Sequence, residues 1–286
     1  MIDTINDMIE SWELFEHSYY AGFLSAFCLA LLGLIIVGKN KDFIGASLSQ
    51  VSLMSIAFIL SIEDYMHDFT DAFLESLILQ YGFSIIVSIL FSYFILEVFN
   101  RSSQKSHLSS IVYLFGASLA VLFVVNNPHG TEEIHQLNSS SLIGANISDV
   151  YLLLIILIVE LFVFIKFHHK IYLFLIDPIM ASTIGFSSKK MNLFLSILIG
   201  LVIGVCLKVV GFLFCFSYSL IPALCTIQVI KSMGYFQLFS LLFAFVSLVF
   251  SFFFSVHWDV PFTQLAVFFI LLQYLSVFIL KRFDIV

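Results

Sequence analysis

The chain has 286 residues, 61% of them hydrophobic and 11% charged, with a mean hydropathy of +1.09 and a net charge of −7. A soluble domain is nearer half apolar and about a quarter charged, so an ordinary soluble domain is excluded, and the negative balance argues against nucleic acid binding. Several apolar runs of about 20 residues match a hydrocarbon layer about 30 Å thick crossed by helices, and the runs are continuous rather than alternating, which excludes a membrane barrel.

The composition therefore predicts an all-α, polytopic integral membrane bundle of eight to nine transmembrane helices forming a single domain, 1–286. Nine spans are read at 19–38, 43–62, 74–98, 108–125, 149–167, 191–207, 210–230, 235–256 and 262–280. The stretch 191–230 reads either as two spans with a break near Lys208 or as one span plus a half-helix, and its length of about 40 residues favours two crossings.

The N-terminal residues 1–16 carry Asp3, Asp7, Glu10, Glu13 and Glu16 and no Lys or Arg, the reverse of a signal peptide's basic start. The connections then alternate in charge. Lys39 and Lys41, Arg101 and Lys105, Lys166, Lys170, Lys189 and Lys190, Lys231, and Lys281 with Arg282 fall in one set. Glu63, Asp64, Asp68, Asp71, Glu132, Glu133 and Asp259 fall in the other, with the N-terminus. The positive-inside rule puts the basic set in the cytoplasm, hence the N-terminus outside and the C-terminus inside. Of the twelve basic residues only Lys208 stands apart, near the outer end of its span, where it can snorkel or must find a partner.

Two connections are more than turns. Residues 126–148 are long enough for an interfacial or re-entrant helix outside. Residues 168–190, polar at both ends and broken by Pro178 and Gly185, suggest a short amphipathic helix at the cytoplasmic face.

Polar residues inside the spans are the functional candidates. Gly45, Ser49, Ser52 and Ser55 share one helix face, with Gln50 beside it; this is a polar pathway lining or small-residue packing with hydroxyls bonded back to the helix. Glu160 lies deep in the fifth span, where a carboxylate faces a partner or a wet cavity, or is a protonated or lysine-paired structural residue. His129, Glu132, Glu133 and His135 offer nitrogen and carboxylate donors at loop spacing, weak candidates for zinc or manganese in no recognised motif. Cys28, Cys206, Cys215 and Cys225 sit in apolar runs without a CxxC pair and read as buried hydrophobes. Gly200 and Gly204 suit close helix packing. Gly33 to Lys39 imitates a phosphate loop but lacks its final Ser or Thr and lies at the end of a membrane helix, so no nucleotide site is read here. No hydrolytic motif is present, so the chain is read as no enzyme.

Five stretches, in order from about residue 20 to 270, resemble the permease subunits of bacterial zinc, manganese and iron ABC importers. They are Leu32–Val37 followed by Lys39–Gln50; Leu142–Asp149; Ile176–Gly185, which looks like the family's Asp-Pro-x-x-Ala segment; Leu207–Leu213 running on to Ser219–Ala223; and Asp259–Pro261. The resemblance implies a bacterial inner-membrane protein that pairs with a second permease copy and is surrounded by lipid. It implies a cytoplasmic ATPase subunit that binds ATP and magnesium, an extracytoplasmic metal-binding protein, and a divalent metal as cargo. Asp177, Pro178, Ala181 and Gly185 then match the ATPase-coupling segment, and Ser49, Gln50, Ser52, Glu160 and Lys208 are pathway candidates. Pro222 would kink the seventh helix. The chain departs from the family where many relatives carry an Asp and a His in the second helix, because Ala46 and Gln50 stand there. Thr263 or a neighbour replaces a Gly of the last motif. The same architecture carrying a metal chelate, or a membrane scaffold without transport, are the alternatives.

Overall fold

Inside hydrocarbon a backbone has no water to bond, so each apolar run must close its own hydrogen bonds as a helix. A computed structural model describes residues 2–39, 41–65, 77–98, 107–125, 128–139, 142, 145–185, 187–230 and 233–282, with no strand among them. The α-helices among these residues are α1 Ile2–Gly38, α2 Ile44–Tyr65, α3 Leu77–Tyr93, α4 His107–Val124, α5 Pro128–Ser139, α6 Ile147–Ile176, α7 Pro178–Thr183, α8 Ser188–Val210, α9 Phe212–Val229, α10 Phe236–Trp258 and α11 Phe262–Arg282. A π-helical turn, Phe94–Val98, prolongs α3. All but α5 and α7 are long and apolar enough to cross a membrane, which gives nine spans among the described residues.

Three boundaries differ from the sequence reading. The helix α1 starts well before residue 19; Phe15 (φ −121°, ψ 23°) breaks it, and the apolar span is Phe15–Gly38. The fifth span does not stop at 167: α6 runs to Ile176, so residues 168–176 of the expected connection 168–190 belong to the span helix. Ile171 and Phe174 continue its buried stripe of Leu153, Ile156, Glu160 and Phe164, and nothing breaks the helix before Asp177-Pro178. The break in 191–230 falls at Gly211 rather than near Lys208. Gly211 has φ 78° and ψ 176°, a backbone state that glycine adopts without cost, and the chain turns there into a second span.

α1, α3, α6, α9 and α11 end, and α2, α4, α8 and α10 begin, at one end of the bundle. We call it the basic end, after the connections there, and the opposite end the acidic end. Arg101, Lys105, Lys231, His67, Asp68 and Asp71 lie outside the described residues.

α2 is the most enclosed span, packed on α3, α4, α8 and α9, while α6 and α11 are the most exposed. Glycine sets the closest crossings. A Cβ on Gly33 would stand 2.7 Å from Ala223 Cβ, one on Gly200 2.6 Å from Ile89 Cα, and one on Gly204 3.0 Å from Ile85 Cα. The imitation phosphate loop is thus the α1–α9 crossing, and the Gly200/Gly204 pair seats α8 on the backbone of α3.

Gly33→Leu should therefore overpack the α1–α9 crossing and cost about 1–3 kcal/mol, lowering the melting temperature in detergent. Gly82, whose Cβ would meet nothing within 4 Å, should accept Ala with no loss in the same thermal-shift assay.

Candidate functional site

The Asp177 segment is built by one residue that serves two helices. Its backbone N–H donates to Leu173 O (2.9 Å) and so closes α6. Its Oδ1 accepts from Ile179 N (3.0 Å) and Met180 N (2.9 Å) and so opens α7, with Pro178 in the first helical turn. α7 packs on α6 and α8 through the fully buried Ala181. Ile179 and Met180 of α7 and its C-cap Ile184 point away from the bundle, 77%, 52% and 58% exposed. Gly185 then reverses the chain at φ 96°.

The polar face of α2 is buried inside the helical bundle. Ser52 and Ser84 of α3 share a hydrogen bond, Ser55 donates to Ser52 O (2.6 Å), and Ser84 also donates to Gly204 O (3.0 Å). Ser49 Oγ is buried without a hydrogen-bond partner. Ala46 and Gln50 are both buried. The four small residues do not all serve one neighbour, because Gly45 faces Ser219 of α9 while Ser52 faces α3.

Glu160 is 2% exposed, and the polar side chain that meets its carboxyl is Cys28. The Cys28 thiol lies beside it, and Cys206 is within electrostatic range of both. An ionised carboxyl inside an apolar span is costly, about 2.5–3.5 kcal/mol on insertion scales, which favours a paired or neutral acid here. All four cysteines are buried free thiols, as their apolar settings suggest.

Lys208, in the last turn of α8, is partnered. Its ammonium donates to Gln80 Oε1, sits 4.6 Å above the Tyr81 ring, and lies in electrostatic range of Glu133 and Asp149. Tyr81 Oη in turn donates to Asp149 Oδ1 (2.8 Å), whose Oδ2 accepts from Asn146 N (2.9 Å). At the basic end Asn192 Nδ2 donates to Glu97 Oε2 (2.9 Å), Lys39 Nζ donates to Asn192 Oδ1 (3.4 Å), and the same ammonium lies 3.6 Å from the Phe174 ring centroid. Sequence reading missed Gln80, Tyr81, Glu97 and Asn192 as members of these networks. Their signal is weak but present: each is polar or amphipathic at the rim of an apolar run.

Within residues 126–148 the expected helix is Pro128–Ser139, α5, and it spreads its donors. Glu132 and His135 are exposed, Glu133 is half-buried, and His135 lies two residues and so roughly 200° around the helix from Glu133. The His129 side chain lies outside the described residues. Among the described residues no three donors converge on a metal. Pro222 lies inside α9 and is buried; it withholds one backbone donor, and Thr226 Oγ1 donates to its carbonyl at 2.8 Å.

Residues 11–281, nearly the whole chain, match the ABC 3 transport family. The chain belongs to that family. It is thus a permease of an ABC transporter and works in a system with partner subunits, and its nine apolar helices make it a multi-pass protein of the bacterial inner membrane. It is 24% identical over 261 residues to the high-affinity zinc uptake system membrane protein ZnuB of Buchnera aphidicola subsp. Baizongia pistaciae, a match covering 90% of this chain and 94% of that one. Its fold is that of the solved PsaBC from Streptococcus pneumoniae in complex with Fab, with a TM-score of 0.77 at 15% identity, covering 96% of this chain and 95% of that one.

Asp177→Ala should remove the α7 cap, worth about 1 kcal/mol. The amides of 179–183 should then exchange about fivefold faster by hydrogen-exchange mass spectrometry, while Asp177→Asn, which still accepts, should stay near the parent rate.

Proposed function

We propose that this permease imports a divalent metal ion, zinc or manganese, using ATP hydrolysed on a separate cytoplasmic subunit. The observation that carries the reading is α7, a capped helix that buries Ala181 and turns Ile179, Met180 and Ile184 outward at the basic end. Exposed apolar side chains there have no lipid role at a water-facing rim; they suit a groove on a docking ATPase. With the basic end cytoplasmic, the N-terminus is outside and the C-terminus inside. Displacement of α7 then enters α8, which begins four residues after Ile184.

On the outer side a soluble metal-binding protein delivers the cargo to the acidic end, and a second copy of this chain completes the pathway. The name of the zinc-uptake relative supports a metal as cargo. Ser49, Gln50, Ser52 and Glu160 are the pathway candidates. Ala46 supplies no ligand and Gln50 only neutral donors, so the cargo is held by few hard ligands from α2. That scarcity favours, as a second reading, a metal chelate taken up by the same architecture.

The test is uptake by proteoliposomes holding the permease, its ATPase subunit and the binding protein, with zinc, manganese and iron compared with and without ATP. ATP-dependent accumulation of zinc or manganese is expected. ATP hydrolysis by the assembled complex with no accumulation of any free metal would overturn the free-ion reading. Ala181→Leu or Gly185→Leu should lower uptake at least about tenfold while ATP hydrolysis and membrane insertion persist; a tenfold loss corresponds to about 1.4 kcal/mol of lost coupling. Unchanged uptake in both would remove α7 from the coupling path.

A further inference from the structure

α3 and α8 are joined along their whole length. At the basic end Asn192 of α8 donates to Glu97 in the π-helical turn that ends α3. In the middle Gly200 and Gly204 sit directly on the backbone of Ile89 and Ile85, and Ser84 of α3 donates to Gly204 O. At the acidic end Lys208 of α8 donates to Gln80 of α3 and covers the ring of Tyr81. Contacts at every level leave no point where one helix can slide past the other without losing several at once.

α8 also packs on α6, and at the acidic end a buried hydrogen bond, Tyr81 Oη to Asp149 Oδ1, ties α3 to α6. The Lys208 ammonium stands over that tyrosine, within range of Asp149 on α6 and Glu133 on α5. Just inside this contact lies Cys206, fully buried and within electrostatic range of Cys28 on α1 and Glu160 on α6.

We propose that α3 and α8 move as one rigid lever, and that Tyr81, Asp149 and Lys208 form a latch that holds the lever against α6 and closes the acidic end of the protomer. Force applied to α7 passes first into α8 and carries α3 with it. Opening the acidic end requires the phenol–carboxylate bond to break, and re-forming it closes the end again. A latch of this kind is a two-state element, because a buried hydrogen bond is either made or left unmade, with little in between. The purpose assigned to the motion rests on the importer reading; the latch itself does not.

Cys206 reports on the latch. In the permease–ATPase complex without nucleotide, Tyr81→Phe and Lys208→Met should raise the labelling rate of Cys206 by a membrane-impermeant maleimide, added at the acidic end, by about fivefold, the shift expected from one lost hydrogen bond. Gly82→Ala, adjacent but contact-free, should leave the rate unchanged. Labelling at the parent rate in both latch variants, with the complex assembled, would overturn the proposal. Should the variants fail to assemble, hydrogen exchange on the parent complex reads the same bond: residues 80–84 and 146–150 should lose protection together when nucleotide is added, and independent behaviour would overturn the latch. Labelling needs no cargo. A parent complex that transports no metal would therefore count against the importer reading alone, and an unresponsive Cys206 against the latch alone.

Discussion

A polar group inside a bilayer has no water to turn to, and this constraint shapes every part of the protein. It makes each apolar run a helix and drives the few intramembrane polar side chains toward one another. Those side chains are therefore the joints of the bundle. Ser84 ties α2, α3 and α8 through Ser52 and Gly204, and Tyr218 of α9 reaches Ser247 of α10 and the Ala266 carbonyl of α11. Lys208 and Asn192 do the same at the two ends of α8. Apolar packing sets which helices touch, but the polar contacts fix at what height, because each has a single geometry. Glu160 stands apart as an acidic side chain buried deep in a span, with the Cys28 thiol beside it.

Much of the fold was legible in the chain itself, because span length and hydropathy are local properties. The nine spans fall within a few residues of where apolar runs begin and end, except where the pattern continues through polar residues. His168, His169 and Lys170 look like a membrane edge, yet α6 continues past them because Ile171 and Phe174 keep its buried stripe in phase. Asp177-Pro178 announces a helix start because a cap and a first-turn proline are local chemistry, and the cap is there. Gly200 and Gly204 announced a close crossing but not its partner. The Tyr81–Asp149 bond joins residues 68 apart in sequence and has no local signature. The same holds for Asn192 and Glu97, separated by 95. Glu132, Glu133 and His135 misled for the opposite reason: they are near in sequence, but the helix α5 turns them to different sides.

Under the proposed function, the short helix α7 is the element that meets the ATPase subunit. It is held by one carboxylate, seated by one methyl group and followed by a glycine with positive φ. In α2, Ala46 offers no ligand atom and Gln50 only a neutral amide, both buried, so its polar face is poor in hard ligands.

The central claim is that the α3–α8 pair is one body that parts from α6 at the acidic end. Pulsed electron resonance between spin labels tests it most directly, using the complex without nucleotide and with ATP trapped. Labels at the exposed positions Ile86 and Ile197 report the α3–α8 separation, and labels at Gly82 and Tyr151 report the α3–α6 gap. A constant first distance and a second that lengthens in one nucleotide state is the expected result. A change in the first distance, or a second distance that never moves in a complex that turns over ATP, would contradict the account.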